Sequence, residues 1–148
     1  MANSGNDTSL QLTEVDYKAL NSKQKEVYNF QMVAGELARY GFNCIKLADD
    51  WNGADFLAYH YEGDKTLKVQ LKSRLTVSKS YVGNDIYMTF PVRRNGHWYL
   101  VPHDTLVGIV RENIGVSGEE ISWAPNRTYS VEPPSQKVLS VLERYKLK

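Results

Sequence analysis

Two short segments, Gly53-Ala54-Asp55-Phe56-Leu57-Ala58 and Lys68-Val69-Gln70-Leu71-Lys72, decide the fold that this sequence predicts. The first opens a stretch that is apolar on both faces, which is typical of a strand in the middle of a sheet. The second alternates, so its aliphatic side chains point to one face while the lysines and Gln70 point to the other. Because turn-forming residues occupy 62–65, the two segments predict a β-hairpin.

The register of this hairpin follows from where its turn is centred. If the centre lies between Gly63 and Asp64, Asp55 stands directly opposite Lys72. Opposed Cβ atoms in a sheet are ~5 Å apart and diagonal ones ~7 Å apart. We therefore expect Asp55, Gln70 and Lys72 to lie together on one face.

An acid, a carboxamide oxygen and an amine at one site suit the hydrolysis of a phosphodiester bond. Mg²⁺ prefers oxygen ligands and is often held by one or two carboxylates together with water and substrate oxygens. Asp55 and Gln70 would hold the ion, while Lys72 would orient the nucleophile and stabilise negative charge. The structural alternative is a cross-strand ion pair between Asp55 and Lys72, worth ~0.2–1 kcal/mol.

Helical periodicity predicts a helix before this hairpin, over roughly residues 22–40. A side-chain oxygen at Asn21 or Ser22 can cap its start, and Gly41 can end it. The predicted apolar stripe consists of Val27, Phe30, Ala34, Leu37 and Ala38.

The remaining segments complete an α/β domain with a mixed β-sheet flanked by helices. We expect strands at 42–47, 54–61, 86–92 and 97–101, a turn of Asx residues at 49–53, a loop at 76–85, a helix from 104 or 105 to about 113, loops with one edge strand over 115–132, and a last helix after Ser135. Residues 1–20 are predicted to form a loose arm with a short helical turn, and residues 21–148 a single domain.

Composition excludes several classes of protein. The chain has 148 residues, 42% of them hydrophobic, and one cysteine, Cys44. One cysteine excludes an internal disulfide framework and, beside three scattered histidines, argues against a structural zinc site. No apolar run approaches the ~20 residues of a membrane span, and the polar first nine residues do not form a signal peptide. We therefore expect a cytoplasmic protein that does not bind membranes.

Positive charge is concentrated in one part of the chain although the net charge is only +1. Residues 1–64 have a net charge of −5, whereas residues 65–98 have seven basic side chains and a single acidic one, Asp85. Such a block can attract a polyanion, and the alternative is a solvated basic face. The candidates for contacts with nucleic-acid phosphates are Arg74, Lys79, Arg93 and Arg94.

The order of helix, strand, Gly53–Ala58 and Lys68–Lys72 resembles the PD-(D/E)XK nuclease superfamily, which includes restriction endonucleases and Holliday-junction resolvases. The resemblance covers about residues 22–102. It implies a restriction-endonuclease-like mixed β-sheet flanked by helices, and a Mg²⁺-dependent endonuclease that cuts DNA, with Mn²⁺ as a substitute. It places the motif aspartate at Asp55 and the catalytic lysine at Lys72, while Ala54 stands in the proline position.

Gln70 departs from this motif, which has Asp or Glu at that position. A carboxamide can ligate through its oxygen but brings one negative charge fewer. The alternative function is therefore a catalytically weak or inactive relative that acts as a nucleic-acid-binding or interaction module. The sequence leaves open whether the partner is DNA or RNA, and whether the chain forms a homodimer.

Many members of the superfamily add a glutamate from the first helix, and the candidates here are Glu26 and Glu36. Glu26 falls between Val33 and Leu37 on the helical wheel, on the sheet-facing stripe, so we favour it as a catalytic and metal-binding residue. The alternative for both glutamates is a solvated carboxylate.

Overall fold

The structure, a computed structural model, describes residues 9–113 and 128–148. The predictions for residues 1–8 and 114–127 lie outside this described part. The helices and strands are α1 (Ser22–Ala38), β1 (Phe42–Trp51), β2 (Ala54–His60), β3 (Thr66–Leu71), β4 (Leu75–Ser78), β5 (Ile86–Val92), β6 (His97–Pro102), α2 (His103–Asn113), β7 (Thr128–Val131) and α3 (Gln136–Leu142). A short 3₁₀ turn at Tyr17–Ala19 matches the helical turn predicted in the arm.

The main sheet has five strands in the order β1-β2-β3-β5-β6. The β3–β5 pair is parallel and the other neighbours are antiparallel, so the sheet is mixed as predicted. A second sheet pairs β4 with β7. The sequence predicted a loop over β4, because a four-residue strand whose partner lies about fifty residues away has no local signal; β7 falls within the segment predicted to hold one edge strand.

Each face of the main sheet covers a hydrophobic core. On one face, Val33 and Leu37 of α1 pack with Phe56 and Val69 of the sheet. The core of the other face contains these side chains of β5, α2 and α3, among others: Met88, Phe90, Leu106, Val110, Leu139 and Leu142. The sheet is therefore flanked by helices on both faces, as the sequence predicts.

Helix α1 starts at the predicted cap. The Asn21 Oδ1 atom accepts a hydrogen bond from the Gln24 N–H at 2.8 Å, and Gln24 Oε1 accepts one from the Asn21 N–H at 2.9 Å. The predicted core position of Val27 is wrong, since 43% of this residue is exposed. Ala38, also predicted there, is exposed, and the buried stripe contains the predicted Leu37 together with Asn29 and Val33.

The predicted register of the β2–β3 hairpin is also wrong, by two residues. Leu57 pairs with Lys68, and continuing this ladder places Asp55 opposite Gln70 rather than Lys72. The cause is a longer connection, which the His60 N–H closes by donating to the Lys65 carbonyl at 2.9 Å. A shift of two residues leaves each side chain on the same face of its strand.

The Tyr61 backbone explains why the shorter turn does not form. Its N–H donates to the Gly41 carbonyl at 2.9 Å and is not available to the hairpin. Gly41 has a φ of +88°, and a Cβ there would lie 2.6 Å from the Tyr61 ring. The end of α1 and the tip of the hairpin are therefore built around each other.

In the described part of the chain, no helix has the length and apolar character needed to cross a membrane.

Candidate active site

Asp55 lies where the pairing of β1 with β2 is interrupted. Lys46 pairs with Phe56 and the ladder resumes only at Trp51 and Ala54, so residues 47–50 of β1 form a bulge opposite Asp55. The sequence predicted that β1 ends at 47, whereas it continues beyond the bulge to Trp51. Bulges open the ladder and redirect side chains, and this one leaves Asp55 half-buried.

The Asp55 carboxylate is held from the β3 side. Its Oδ2 atom accepts a hydrogen bond from the Leu71 N–H at 2.9 Å. Burial raises the pKa of Asp55, the negative charge of Asp50 raises it further, and the Leu71 N–H and the positive charges of Lys72 and Lys46 oppose the increase. The ionised carboxylate is therefore incompletely compensated, and a cation beside it would stabilise the ionised form.

Gln70 stands opposite Asp55 when the β2–β3 ladder is continued by one pair beyond Phe56 and Val69. It is only 5% exposed, and its Oε1 atom accepts no hydrogen bond from any described residue. Leaving a buried polar atom without a partner costs about 1–3 kcal/mol. An orphaned carboxamide oxygen opposite a half-buried carboxylate fits a ligand position for a hard cation such as Mg²⁺.

Lys72 lies just beyond β3, and its N–H donates to the Thr89 carbonyl of β5 at 3.0 Å. Its charge lowers the pKa of Asp55, but within the described residues the two side chains form no ion pair. The structure therefore gives no support to the cross-strand ion pair that the sequence left as an alternative.

Glu26 lies at the rim of a cavity of about 350 Å³ that Lys72 also lines. The predicted place of Glu26 on the buried, sheet-facing stripe is wrong, since its side chain is 47% exposed. Its Oε1 atom is 3.4 Å from Lys46 Nζ and its Oε2 atom is 3.5 Å from Lys23 Nζ. Lys46 is the main cause of a lowered pKa of Glu26. The positive charge of Lys46 also opposes the raised pKa of Asp55, but it is the weakest of the causes that act there.

Glu36, the other helix candidate, pairs with Arg39 at 2.8 Å and does not line that cavity. Of the two helix candidates, Glu26 shares this cavity with Lys72 and Glu36 does not, while Asp55 and Gln70 are not among the residues that line it.

Carboxylates alone do not make a metal centre here. Within residues 9–113 and 128–148, no three His, Cys, Asp or Glu side chains are grouped so that they could hold a metal ion. The β2–β3 pairing instead places two oxygen-bearing side chains opposite each other, the Asp55 carboxylate and the Gln70 carboxamide. Such a sparse donor set is acceptable to Mg²⁺, which usually keeps several waters.

Comparison with solved structures identifies the architecture. A bacterial homing endonuclease aligns with a TM-score of 0.50 and 15% identity over 85% of this chain and 86% of its own. A Holliday junction resolvase from the archaeal hyperthermophile Archaeoglobus fulgidus aligns with a TM-score of 0.43 and 19% identity over 54% of this chain and 74% of its own. The chain has a restriction-endonuclease-like fold. No protein-family model and no curated protein matches the sequence.

Within this restriction-endonuclease-like fold, the four predicted phosphate contacts are all exposed, but they do not form one group. Arg93 lines the same cavity as Lys72. Lys79 starts the 3₁₀ turn Lys79–Tyr81. Arg74 lies two residues beyond Lys72, whereas Arg94 lines a separate cavity beside Tyr99.

Sequence reasoning did not select Tyr81 or Lys46, and it treated Asp50 as a turn residue. The Asp50 side chain does brace a turn, since its Oδ1 atom accepts a hydrogen bond from the Gly53 N–H at 2.7 Å, but its backbone lies in the bulge of β1, so the predicted turn over 49–53 is shorter. Burial raises the pKa of Tyr81, and the charges of Asp50 and Asp55 raise it further. No local sequence pattern indicates that Lys46, Asp50 and Tyr81 are neighbours of Asp55. The bulge in β1 and the distant 3₁₀ turn Lys79–Tyr81 bring them there.

Proposed function

We propose that this chain is a magnesium-dependent endonuclease that hydrolyses DNA phosphodiester bonds. The observation that carries the proposal is the buried Gln70 Oε1 atom, which has no hydrogen-bond partner among the described residues and lies one strand away from the half-buried Asp55 carboxylate. The restriction-endonuclease-like fold supports nuclease chemistry, and Lys72 stands near the same carboxylate.

Asp55 and Gln70 would hold Mg²⁺, with Mn²⁺ as a substitute. A bound Mg²⁺ would neutralise phosphate charge and lower the pKa of a coordinated water. The protein contributes the placement of the two oxygen donors on adjacent strands. The Leu71 N–H fixes one Asp55 oxygen, at 2.9 Å, so that the carboxylate has a defined orientation.

Lys72 would orient the attacking water and stabilise the negative charge that grows on the phosphate. Its backbone is fixed between β3 and β5, which restricts the positions that the ammonium group can reach. Glu26 is proposed to complete the site from the helix, where it shares the cavity with Lys72 and is held by Lys46. Arg74, Lys79, Arg93 and Arg94 are proposed to contact DNA phosphates.

One further function has an observation in its favour. Gln70 is neutral, and the described part of the chain holds no group of three acidic or imidazole side chains suited to a metal. A nucleic-acid-binding relative without catalysis would have this composition.

A cleavage assay with added Mg²⁺ or Mn²⁺ tests the proposal, using duplex, single-stranded and branched DNA. We expect Lys72→Ala to reduce the cleavage rate about 100-fold or more, because a charge-stabilising donor is lost, while DNA binding changes little. Lys65→Ala is the matched control, since this exposed lysine lies at the opposite end of the same hairpin. Cleavage by Lys72→Ala at the wild-type rate would contradict the assignment, and absence of cleavage by the wild type on every substrate would favour the binding module.

A further inference from the structure

A second cavity, of about 410 Å³, lies next to the one that contains Lys72. It is formed between α1, the 3₁₀ turn that precedes this helix, and the neighbouring ends of β5 and β6. The two cavities share five lining residues, which are Tyr17, Lys25, Asn29, Ser73 and Arg93. They therefore form one continuous groove that leads from Lys72 to Trp98, and we call it the arm groove.

The far part of the arm groove has an apolar and aromatic lining. Tyr28, Met32, Pro91 and Trp98 contribute to it. Tyr28 is 36% exposed and Met32 is 48% exposed, so both present surface to a ligand. The Tyr28 ring also lies 5.3 Å from that of Tyr17, measured between centroids. Exposed aromatic rings of this kind stack with nucleobases, because every base has a π-face.

The same groove is positively charged. Its far cavity is lined by three basic side chains, Lys18, Lys25 and Arg93, against the single acid Asp16. Lys25 Nζ lies 5.4 Å from the centroid of the Tyr17 ring, so a cation and an aromatic face occupy the same wall. A groove with both features matches the chemistry of a nucleotide, which combines an aromatic base with an anionic phosphate.

The wall that carries Tyr17 is held in place by hydrogen bonds. The buried Asn29 donates from Nδ2 to the Tyr17 hydroxyl at 2.9 Å. Asp16 caps the turn by accepting from the Lys18 N–H at 3.1 Å. The turn therefore has a specific attachment to α1, and the groove is formed before any ligand arrives.

We propose that the arm groove binds an unpaired nucleotide of the DNA strand that is cut, next to the scissile phosphate. This inference rests on the proposed nuclease function, because Lys72 marks one end of the groove. A base that is stacked inside a duplex is covered on both faces and has to leave the stack to enter such a cavity. The far cavity also has a volume in the range of small-ligand sites. DNA with a gap, a flap or a branch near the cut would therefore be preferred to intact duplex.

Binding measured without catalysis tests the groove separately from the nuclease. Fluorescence anisotropy in EDTA would compare a short labelled oligodeoxythymidine, the matched RNA strand, an intact duplex and the same duplex with a single-stranded flap. We expect Tyr28→Ala to weaken binding of the single strand and of the flap about tenfold, as loss of one stacking partner does, with little change for the duplex. Tyr61→Ala is the matched control, because Tyr61 is 77% exposed at the other end of the sheet.

Lys25→Ala provides a second variant, which removes a positive charge of the groove rather than a stacking ring. It should lower the salt dependence of single-strand binding by about one counterion. If Tyr28→Ala and Lys25→Ala both bind the single strand as the wild type does, the groove assignment is overturned even if the enzyme cleaves DNA. Tighter binding of the RNA strand overturns the assignment to DNA. If binding depends on Tyr28 but no substrate is cut, the groove assignment stands and the nuclease proposal fails.

Discussion

Replacing Gln70 by leucine should make the metal-free protein more stable and at the same time remove its response to Mg²⁺. The carboxamide oxygen is buried without a hydrogen-bond partner among the described residues, which costs about 1–3 kcal/mol. Gln70→Leu removes this oxygen and keeps an approximately equal volume in a strand position that is 5% exposed. For a chain of this size, each kcal/mol raises Tm by about 2–4 °C.

Thermal unfolding in EDTA and in a series of Mg²⁺ concentrations measures both effects on the same samples. The wild type should gain stability as Mg²⁺ is added, since a ligand that binds the folded state stabilises it. Gln70→Leu should start from a higher Tm and gain less, because it has lost one of the two protein donors. Gln70→Glu serves as the opposite variant and should gain more than the wild type, since its ligand oxygen is charged.

A different pattern would refute this reasoning about Gln70. If Gln70→Leu is less stable than the wild type in EDTA and shows the full Mg²⁺ response, the carboxamide contributes to packing and does not bind a cation. A Gln70→Glu response equal to that of the wild type would point to the same conclusion.

Two further variants test the surroundings of the site. Asp55→Asn should stabilise the metal-free protein at neutral pH, because burial raises the pKa of Asp55 and disfavours its ionised form in the folded state; the gain should disappear below about pH 4, where the carboxyl is also protonated in the unfolded chain. Urea unfolding at several pH values measures this, and a gain that does not change with pH would contradict it. Gly53→Ala should destabilise by more than about 1–2 kcal/mol, since it forces an L-residue to a φ of +90° and places a Cβ 3.0 Å from the Tyr81 ring. Gly83→Ala is its control, with a φ of +78° and no atom within 4 Å of the added Cβ, and equal losses in the two variants would show that the Tyr81 contact is unimportant.

The order of the main elements could be predicted because each has a local signal. The Asn21 cap, the alternation of β3 and the hairpin of β5 and β6 all depend on neighbours within a few residues, and the structure has them where the sequence indicates. Strand β4 has no such signal, since its hydrogen-bond partner β7 is distant in sequence. Val27 fits the helical period by spacing alone, yet the stripe that packs on the sheet contains Asn29, which a hydrophobicity pattern does not select.

The candidate site shows which parts of a sheet follow from a sequence pattern and which do not. Alternation determines the face of each side chain, so a hairpin register that was wrong by two residues still placed Asp55 and Gln70 on the same face. It does not determine which residues stand opposite each other, because that depends on the length of the turn, and here Tyr61 bonds to Gly41 outside the hairpin. Nor does alternation indicate the bulge of residues 47–50, which breaks the ladder beside Asp55. Since the electrostatic surroundings of Asp55 depend on that bulge, the sequence predicts that Asp55 and Gln70 share a face, whereas the charged neighbours of Asp55 require the structure.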